Sequence, residues 1–396
     1  MQDCEVSPYN LLPEVLKEFH LPDDIIIYDS TLRDGEQMPG ISFSPEQKLC
    51  LAKKLDECNV PEIEVGFPAV SKSEVATIQT IAHEGLKAKL LVLSRLKKED
   101  IDAAIDSDAD IILLFIASSP LHLRYKLHLT EEEIKEKVIF AIQYAKDHGL
   151  TPSFSTEDST RTPLPFLEDL VVTAYKTGAK RIGFTDTVGC ATPQTIHYLI
   201  SHMRPLVPLP FSAHLHNDFG LSVINALTAL SSGVTHVCTT INGWGERAGN
   251  VPLEQLVMTL KILYQKDLGI DTTQLRELSE MVANFVKMPI PKTQPFVGDN
   301  IFTHESGIHV AAILENPRTY EPIAPSLVGG NRAFVIGKHS GKRIIRHFCH
   351  QNDIRCDETT LAQCTIKIKE LVQKEGYISN DKVAKILHDM VEEKDD

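Results

Sequence analysis

Eight short apolar, β-branched runs recur along the chain. Each is separated from the next by residues at helical spacing, and that alternation restricts the folds open to it. The runs are Ile25–Tyr28, Glu62–Val65, Leu90–Leu93, Ile111–Phe115, Ser153–Ser155, Arg181–Phe184, Phe211–His216 and His236–Thr240. Between them, Leu49, Ala52 and Leu55, or Ile134, Val138, Ala141 and Ile142, share one helix face, and Gly149 and Gly178 stand where such helices stop. Eight strand–helix repeats in roughly 220 residues are the count and length of a (β/α)8 TIM barrel. An open doubly wound sheet alternates in the same way, but no Gly-x-Gly-x-x-Gly follows the first run.

Polar residues gather just after the apolar part of nearly every run, where barrel enzymes keep their chemistry. These are Asp29 to Gln37, Glu64, Ser94-Arg95, Ser118-Ser119, Glu157-Asp158, Asp186-Thr187, His214 to Asp218 and Asn242 to Asn250. On a strand, His214 and His216 point the same way about 7 Å apart and can share a metal ion; a solvated or hydrogen-bonded pair is the alternative. The first and eighth strands of a barrel are neighbours and the seventh is one further round, so a carboxylate from the Asp29–Gln37 loop reaches those imidazoles. One carboxylate and two histidines leave positions open for a bidentate substrate on a divalent ion. A polar loop with internal ion pairs is the plainer account of the same residues. The glycine-bounded Asn242–Asn250 loop adds an oxygen ligand, cradles a phosphate-bearing cofactor through free N–H groups at Gly243 and Gly245, or is simply a tight turn.

The periodicity suggests a lead-in over 1–24, a barrel over 25–285, a linker and lid over 286–345 and a small C-terminal helical region over 346–396. Proline-rich 288–295 marks the linker, and the lid carries Phe302–His309 and Gly337–Lys342. From Asp357 on, two or three amphipathic helices are expected before an acidic tail. A formal net charge of −14 and a pI of about 5.6 argue against a nucleic-acid or anionic-membrane surface. The acidic start, Met1 to Glu5, has no secretory pattern, and no apolar stretch approaches the roughly 20 residues that span a bilayer. Eight cysteines without a Cys-x-x-Cys pair read as reduced thiols, and a cytoplasmic location is expected.

Seven motifs, in order, resemble those of the 2-oxo acid/acetyl-CoA condensing enzymes, the homocitrate synthase and 2-isopropylmalate synthase family. They are Asp29-Ser-Thr-Leu-Arg-Asp-Gly-Glu-Gln37, Glu64-Val-Gly-Phe-Pro-Ala69, Phe154-Ser-x-Glu-Asp158, Asp186-Thr-Val-Gly189, His214-x-His-Asn-Asp218, Asn242-Gly-x-Gly-Glu-Arg-x-Gly-Asn250 and His304-Glu-Ser-Gly-Ile-His309. The short length and the lid look most like nitrogen-fixation type homocitrate synthases. The resemblance implies Claisen condensation of acetyl-CoA, as cosubstrate, with a 2-oxo acid to give a 2-alkylmalate, with 2-oxoglutarate ahead of the acids of 2-isopropylmalate and citramalate synthases. A carbon–carbon lyase of the hydroxymethylglutaryl type and a binding protein on a retired barrel are the competing classes.

By the same resemblance, Asp34, His214 and His216, with Asn250 beside them, bind Mg²⁺, Mn²⁺ or Zn²⁺. Arg33 adds charge at the keto oxygen, Thr187 holds the substrate carboxylate, and Gln37 and Ser155 complete the substrate pocket. Glu157, His309 and Tyr320 take part in proton transfer, the last two from a lid that acts across a homodimer. Two departures bear on the substrate: Asp34 and Ser153 stand where lysine-pathway homocitrate synthases carry Glu and a carboxylate-gripping Arg. Arg95, Arg124 and Lys126 are the cations available for a second carboxylate. Glu157 also has a structural alternative, an ion pair with Arg161 four residues on.

Overall fold

The computed structural model describes residues 4–17, 19–375 and 378–395; Met1 to Asp3 and the final Asp396, ends of the expected acidic termini, lie outside them. Eight parallel strands follow one another around a closed barrel: β1 (Ile26–Asp29), β2 (Glu62–Gly66), β3 (Lys89–Arg95), β4 (Ile111–Ala117), β5 (Thr151–Glu157), β6 (Arg181–Asp186), β7 (Phe211–Leu215) and β8 (His236–Thr239). Closure is made by β1 against β8, with Ile26 opposite His236 and Asp29 opposite Thr239. The helices between the strands start and stop as their sequences dictate. Ser44 and Gln47 form a capping box on Pro45–Glu57, and Thr130 and Glu133 another on Glu131–Asp147. The latter helix buries Ile134, Val138, Ala141, Ile142 and Ala145, one stripe turned to the barrel wall.

The strands run one to four residues off the expected runs, and two of these differences bear on the site. β5 is seven residues long rather than three, because its polar Ser153, Ser155 and Thr156 are buried along with Phe154. β7 stops at Leu215, and His216 instead makes an isolated antiparallel bridge to Asn250. At the opposite end of the barrel, the first residues of three strands form a buried charged group. Arg181 Nη1 lies 2.6 Å from Glu62 Oε2, and His236 Nε2 lies 3.9 Å from Glu62 Oε1.

The barrel, Pro8–Ile290, is one compact unit, and residues up to Ser7 together with Pro291–Asp396 form another. In the second, β9 (Thr303–His304) pairs in parallel with β10 (Ala333–Phe334). Helices Gly307–Glu315, Lys342–Gln351, Glu358–Glu375 and Asn380–Asp395 accompany this pair. The expected boundary at 346 falls inside Lys342–Gln351. Ile344 and Ile345 share a core with Val310 and Ile336 on one side of that boundary and Leu361 and Ile368 on the other. Lid and helical tail are therefore one packed body, since a domain boundary cannot run through a shared core. Among the described residues no helix is long and apolar enough to cross a membrane.

Burial, reinforced by the Arg181 guanidinium, lowers the His236 imidazole from its ordinary 6.5 to about 3. Between those values the unfolded chain binds more protons than the folded one, so this residue's contribution is complete above pH 6.5 and is lost as pH falls toward 3. The cost at the acid end is about 5 kcal/mol. Urea unfolding of His236→Leu at pH 4 to 7 should show a pH slope shallower than wild type by one proton; parallel slopes would contradict this account.

Candidate active site

The site begins where β1 ends. Asp29 accepts the Thr31 N–H at 2.9 Å and is tied across the closure to Thr239. The chain then coils so that the N–H groups of Arg33, Asp34 and Gly35 all point at the Ser30 carbonyl. This turn delivers Arg33 to Glu64 of β2. Arg33 Nε donates to Oε1 at 2.7 Å and Nη2 to Oε2 at 2.9 Å, and Ser30 Oγ donates to the same carboxylate. The remaining guanidinium nitrogen, Nη1, sits 3.1 Å from Asp34 Oδ1.

The other Asp34 oxygen faces the end of β7. It lies 3.2 Å from His214 Nε2 and 3.8 Å from His216 Nε2, and it accepts the Asn250 amide at 2.6 Å. The two histidine Nε2 atoms converge to 3.1 Å, with His216 one residue past β7 and bridged to Asn250. Asp34, His214 and His216 each offer a ligand atom within 4.8 Å of the others. Burial alone would raise the Asp34 carboxyl, but Arg33 and the imidazoles outweigh it and hold the group well below the usual carboxylate range. Burial, then His214, lowers His216 to about 3, so its imidazole is neutral near pH 7, as ligation requires. The Asn250 Oδ1 and His216 Nδ1 atoms are buried with no hydrogen-bond partner among the described residues. An anionic oxygen, two imidazoles and an orphaned amide oxygen form a donor set that suits a divalent ion.

These groups open on a cavity of about 320 Å³ at the C-terminal mouth of the barrel. Of the residues named from sequence, Arg33, Asp34, Gln37, Ser155, Glu157, Thr187, His214 and His216 all line it. Asn250 joins them through Asp34. Thr187 Oγ1 accepts the Asp158 N–H at 2.8 Å, which fixes the hydroxyl oxygen at the rim. His309 and Tyr320 belong to the other unit, where their rings stack with centroids 4.0 Å apart. Beside them Glu321 is held by both Arg332 and His304.

Several expectations need correction. Glu157 does not pair with Arg161, which bonds Asp158 instead at 2.8 and 3.0 Å; Glu157 is held by Lys126. Of the three candidate cations, Arg95 is committed to Asp100, Arg124 lies over the Tyr125 ring, and Lys126, the one that lines the cavity, is paired with Glu157. The glycine loop is a packing device. The Gly243 N–H is used on the Thr240 carbonyl, so it is not a free donor for a phosphate, and a Cβ on Gly245 would stand 1.8 Å from Asn250 Oδ1.

Sequence reasoning also passed over Arg247. It grips Asp218 through two nitrogens and donates to the Thr187 carbonyl at 2.7 Å, joining the loops after β6, β7 and β8. Its signal was present, since Arg247 and Asp218 both lie inside quoted motifs.

A parallel (β/α)8 barrel with a carboxylate–bis-imidazole cluster at the C-terminal mouth defines a class of barrel enzyme, and comparison with known proteins narrows it. Residues 24–282 match the HMGL-like family, and residues 296–376 match the homocitrate synthase post-HMGL domain-like family. Homocitrate synthase AksA of Methanopyrus kandleri is 45% identical over 390 residues, covering 98% of both chains. A probable 2-isopropylmalate synthase of Ignicoccus hospitalis is 42% identical over 95% of this chain and 94% of its own. The crystal structure of Bacillus subtilis HMG-CoA lyase superposes with a TM-score of 0.62 at 18% identity, covering 68% of this chain and 96% of that one, and is a likeness of fold. The chain belongs to the HMGL-like family and, within it, to the acyltransferase branch of homocitrate and 2-isopropylmalate synthases.

The close approach at Gly245 yields a direct test. Gly245→Ala must push the Asn250 side chain off Asp34, and overpacking of this kind costs about 1–3 kcal/mol. The expected result is a lowered melting temperature together with reduced turnover; an unchanged melting temperature would show that the loop yields freely.

Proposed function

We propose that the protein is a metal-dependent acyltransferase that condenses acetyl-CoA with a 2-oxo acid, and that the acid is 2-oxoglutarate, giving homocitrate and CoA. The observation that carries this reading is the Asp34–His214–His216 cluster opening onto one cavity with Arg33 and Thr187. When bound to those three side chains, a divalent ion supplies Lewis acidity at the keto group of the acid. Asn250 serves as a fourth, weaker oxygen donor or as the outer partner that orients Asp34.

Arg33 cannot lose its proton at working pH and stands beside the cluster, where negative charge develops as the keto carbon is attacked. Thr187 and Ser155 offer hydroxyls to the carboxylates of the acid, and Gln37 offers its amide. The thioester methyl is a weak carbon acid and needs a base within hydrogen-bonding reach. Glu157 is the carboxylate on the cavity wall suited to that task. His309 and Tyr320 serve from the second unit, in the reading of a homodimer whose lid acts on the partner's barrel. Carbon–carbon bond formation is followed by attack of water on the thioester, which frees CoA and makes the sequence irreversible.

Support for 2-oxoglutarate comes from the names of near-full-length relatives. A second reading, a 2-isopropylmalate-type acid with an alkyl side chain, is favoured by the apolar wall of Leu93, Leu113 and Phe115.

Thiol release from acetyl-CoA with Mn²⁺ or Mg²⁺ should be fastest with 2-oxoglutarate in a panel containing 2-oxoisovalerate, pyruvate and oxaloacetate. Fastest release with 2-oxoisovalerate would select the second reading, and no release with any acid would defeat both. His216→Ala should weaken Mn²⁺ binding beyond the roughly 10–100-fold that loss of an outer partner costs, as read by calorimetric titration. Wild-type Mn²⁺ affinity in that variant would remove the histidine pair from the metal site.

A further inference from the structure

Glu157 ends β5 with its side chain inside the cavity and only 16% exposed. A carboxylate so covered needs a charged or hydrogen-bonding partner. Among the described residues one cation contacts both its oxygens: Lys126 Nζ lies 2.6 Å from Oε1 and 2.8 Å from Oε2. Lys126 reaches it from an irregular segment. After the short helix Pro120–His122 the backbone widens into a single π-helical turn, Leu123–Leu127, ended by His128 in the left-handed region at φ 54°. Turns of this kind are uncommon, carry some strain and concentrate at functional positions. The same segment presents a second group. His122 Nδ1 is buried without a hydrogen-bond partner and sits 3.5 Å from Glu157 Oε1.

We infer that Lys126 is a positioning residue for Glu157: the π-helical turn exists to bring its ammonium onto the carboxylate and fix where the oxygens point. This rests on the reading that Glu157 acts on the acetyl thioester. A glutamate has three rotatable bonds, and a base displaced by about 1 Å from its target can lose about 100-fold in rate. An ion pair with contacts to both oxygens supplies that restraint. Each carboxylate oxygen keeps a second lone pair, so the Lys126 contact leaves Glu157 able to accept a proton. His122, one turn back, is placed so that its Nδ1 lies 3.5 Å from the same carboxylate. Lys126 itself is half exposed and acts through Glu157.

A double-mutant cycle on the full-length protein with Mn²⁺, acetyl-CoA and 2-oxoglutarate tests this, using Lys126→Met, Lys126→Arg, Glu157→Gln and the Lys126→Met/Glu157→Gln double variant. Lys126→Met should lower kcat by about 10–100-fold while KM for the acid moves less than about 3-fold. Lys126→Arg should restore most of the rate. In the Glu157→Gln background the Lys126 change should alter kcat by less than about 2-fold, because a residue that acts through Glu157 has nothing left to position. Wild-type kcat in Lys126→Met beside a crippled Glu157→Gln overturns the inference and leaves the reading of Glu157 intact. Wild-type kcat in Glu157→Gln overturns both. An effect confined to KM, or one that persists undiminished in the double variant, makes Lys126 a substrate contact and also overturns it. Mn²⁺ affinity should be unchanged in all four; its loss in Lys126→Met would mean that the lysine supports the mouth as a whole, which equally overturns the assignment.

Discussion

The contact on which the rest of the site depends is the buried pair of Arg33 and Glu64. Taking a guanidinium and a carboxylate out of water is costly, and such a pair is tolerable only when nearly every donor and acceptor is satisfied. Here Glu64 receives three hydrogen bonds, two from Arg33 and one from Ser30, and Arg33 turns its remaining nitrogen to Asp34. Asp34 is thereby balanced between a guanidinium on one side and two imidazoles on the other, and so remains an anion in a buried place. A second buried cation, Lys48, steadies the loop from behind. Lys48 bridges Glu36 at 2.7 Å and Glu74 at 2.6 Å, and Glu36 also accepts the Phe43 N–H. Removing one member of either group would leave a charge buried without its counterpart, which costs far more than the pair contributes.

The parts of this molecule that were readable from sequence are those governed by one-dimensional rules. Runs such as Ile111–Phe115 are buried on both faces and stay apolar throughout, which marks the barrel strands directly. Gly178, read as a helix stop, caps Leu164–Thr177 in the left-handed region. β5 was underestimated because Ser153, Ser155 and Thr156 are buried hydroxyls, and a period-two or apolar criterion has no term for those. The apolar neighbours of His216 mark it as strand, while its bridge to Asn250, one residue past β7, is a long-range contact that no local rule encodes.

The membership of the site was legible in the motifs; its pairing was not. Glu157 has Arg161 at helical spacing, yet it ends a strand, so the residue four along points elsewhere and Asp158 takes that arginine. Lys126 comes from 31 residues upstream, through a π-helical turn with no sequence signature of its own. The loop glycines are likewise legible as glycines but not by purpose. Gly249 adopts φ 85°, and a Cβ there would meet the Gly243 carbonyl at 1.9 Å, so the loop is drawn tight over Asn250. The motif records a packing requirement that the bare pattern does not distinguish from phosphate binding.

The pairing of β1 with β8 bears on how the protein matures. Asp34 and Asn250, 216 residues apart, touch only because the first strand waits for the last, and both histidines arrive with the seventh. Contacts of such long sequence separation form late. A nascent or partly folded chain thus carries the ligands without the complete Asp34–His214–His216 cluster, which exists only in the closed ring. Once the ring has closed, any ion held there binds the finished barrel and not its precursors, and so acts as a clasp on the seam.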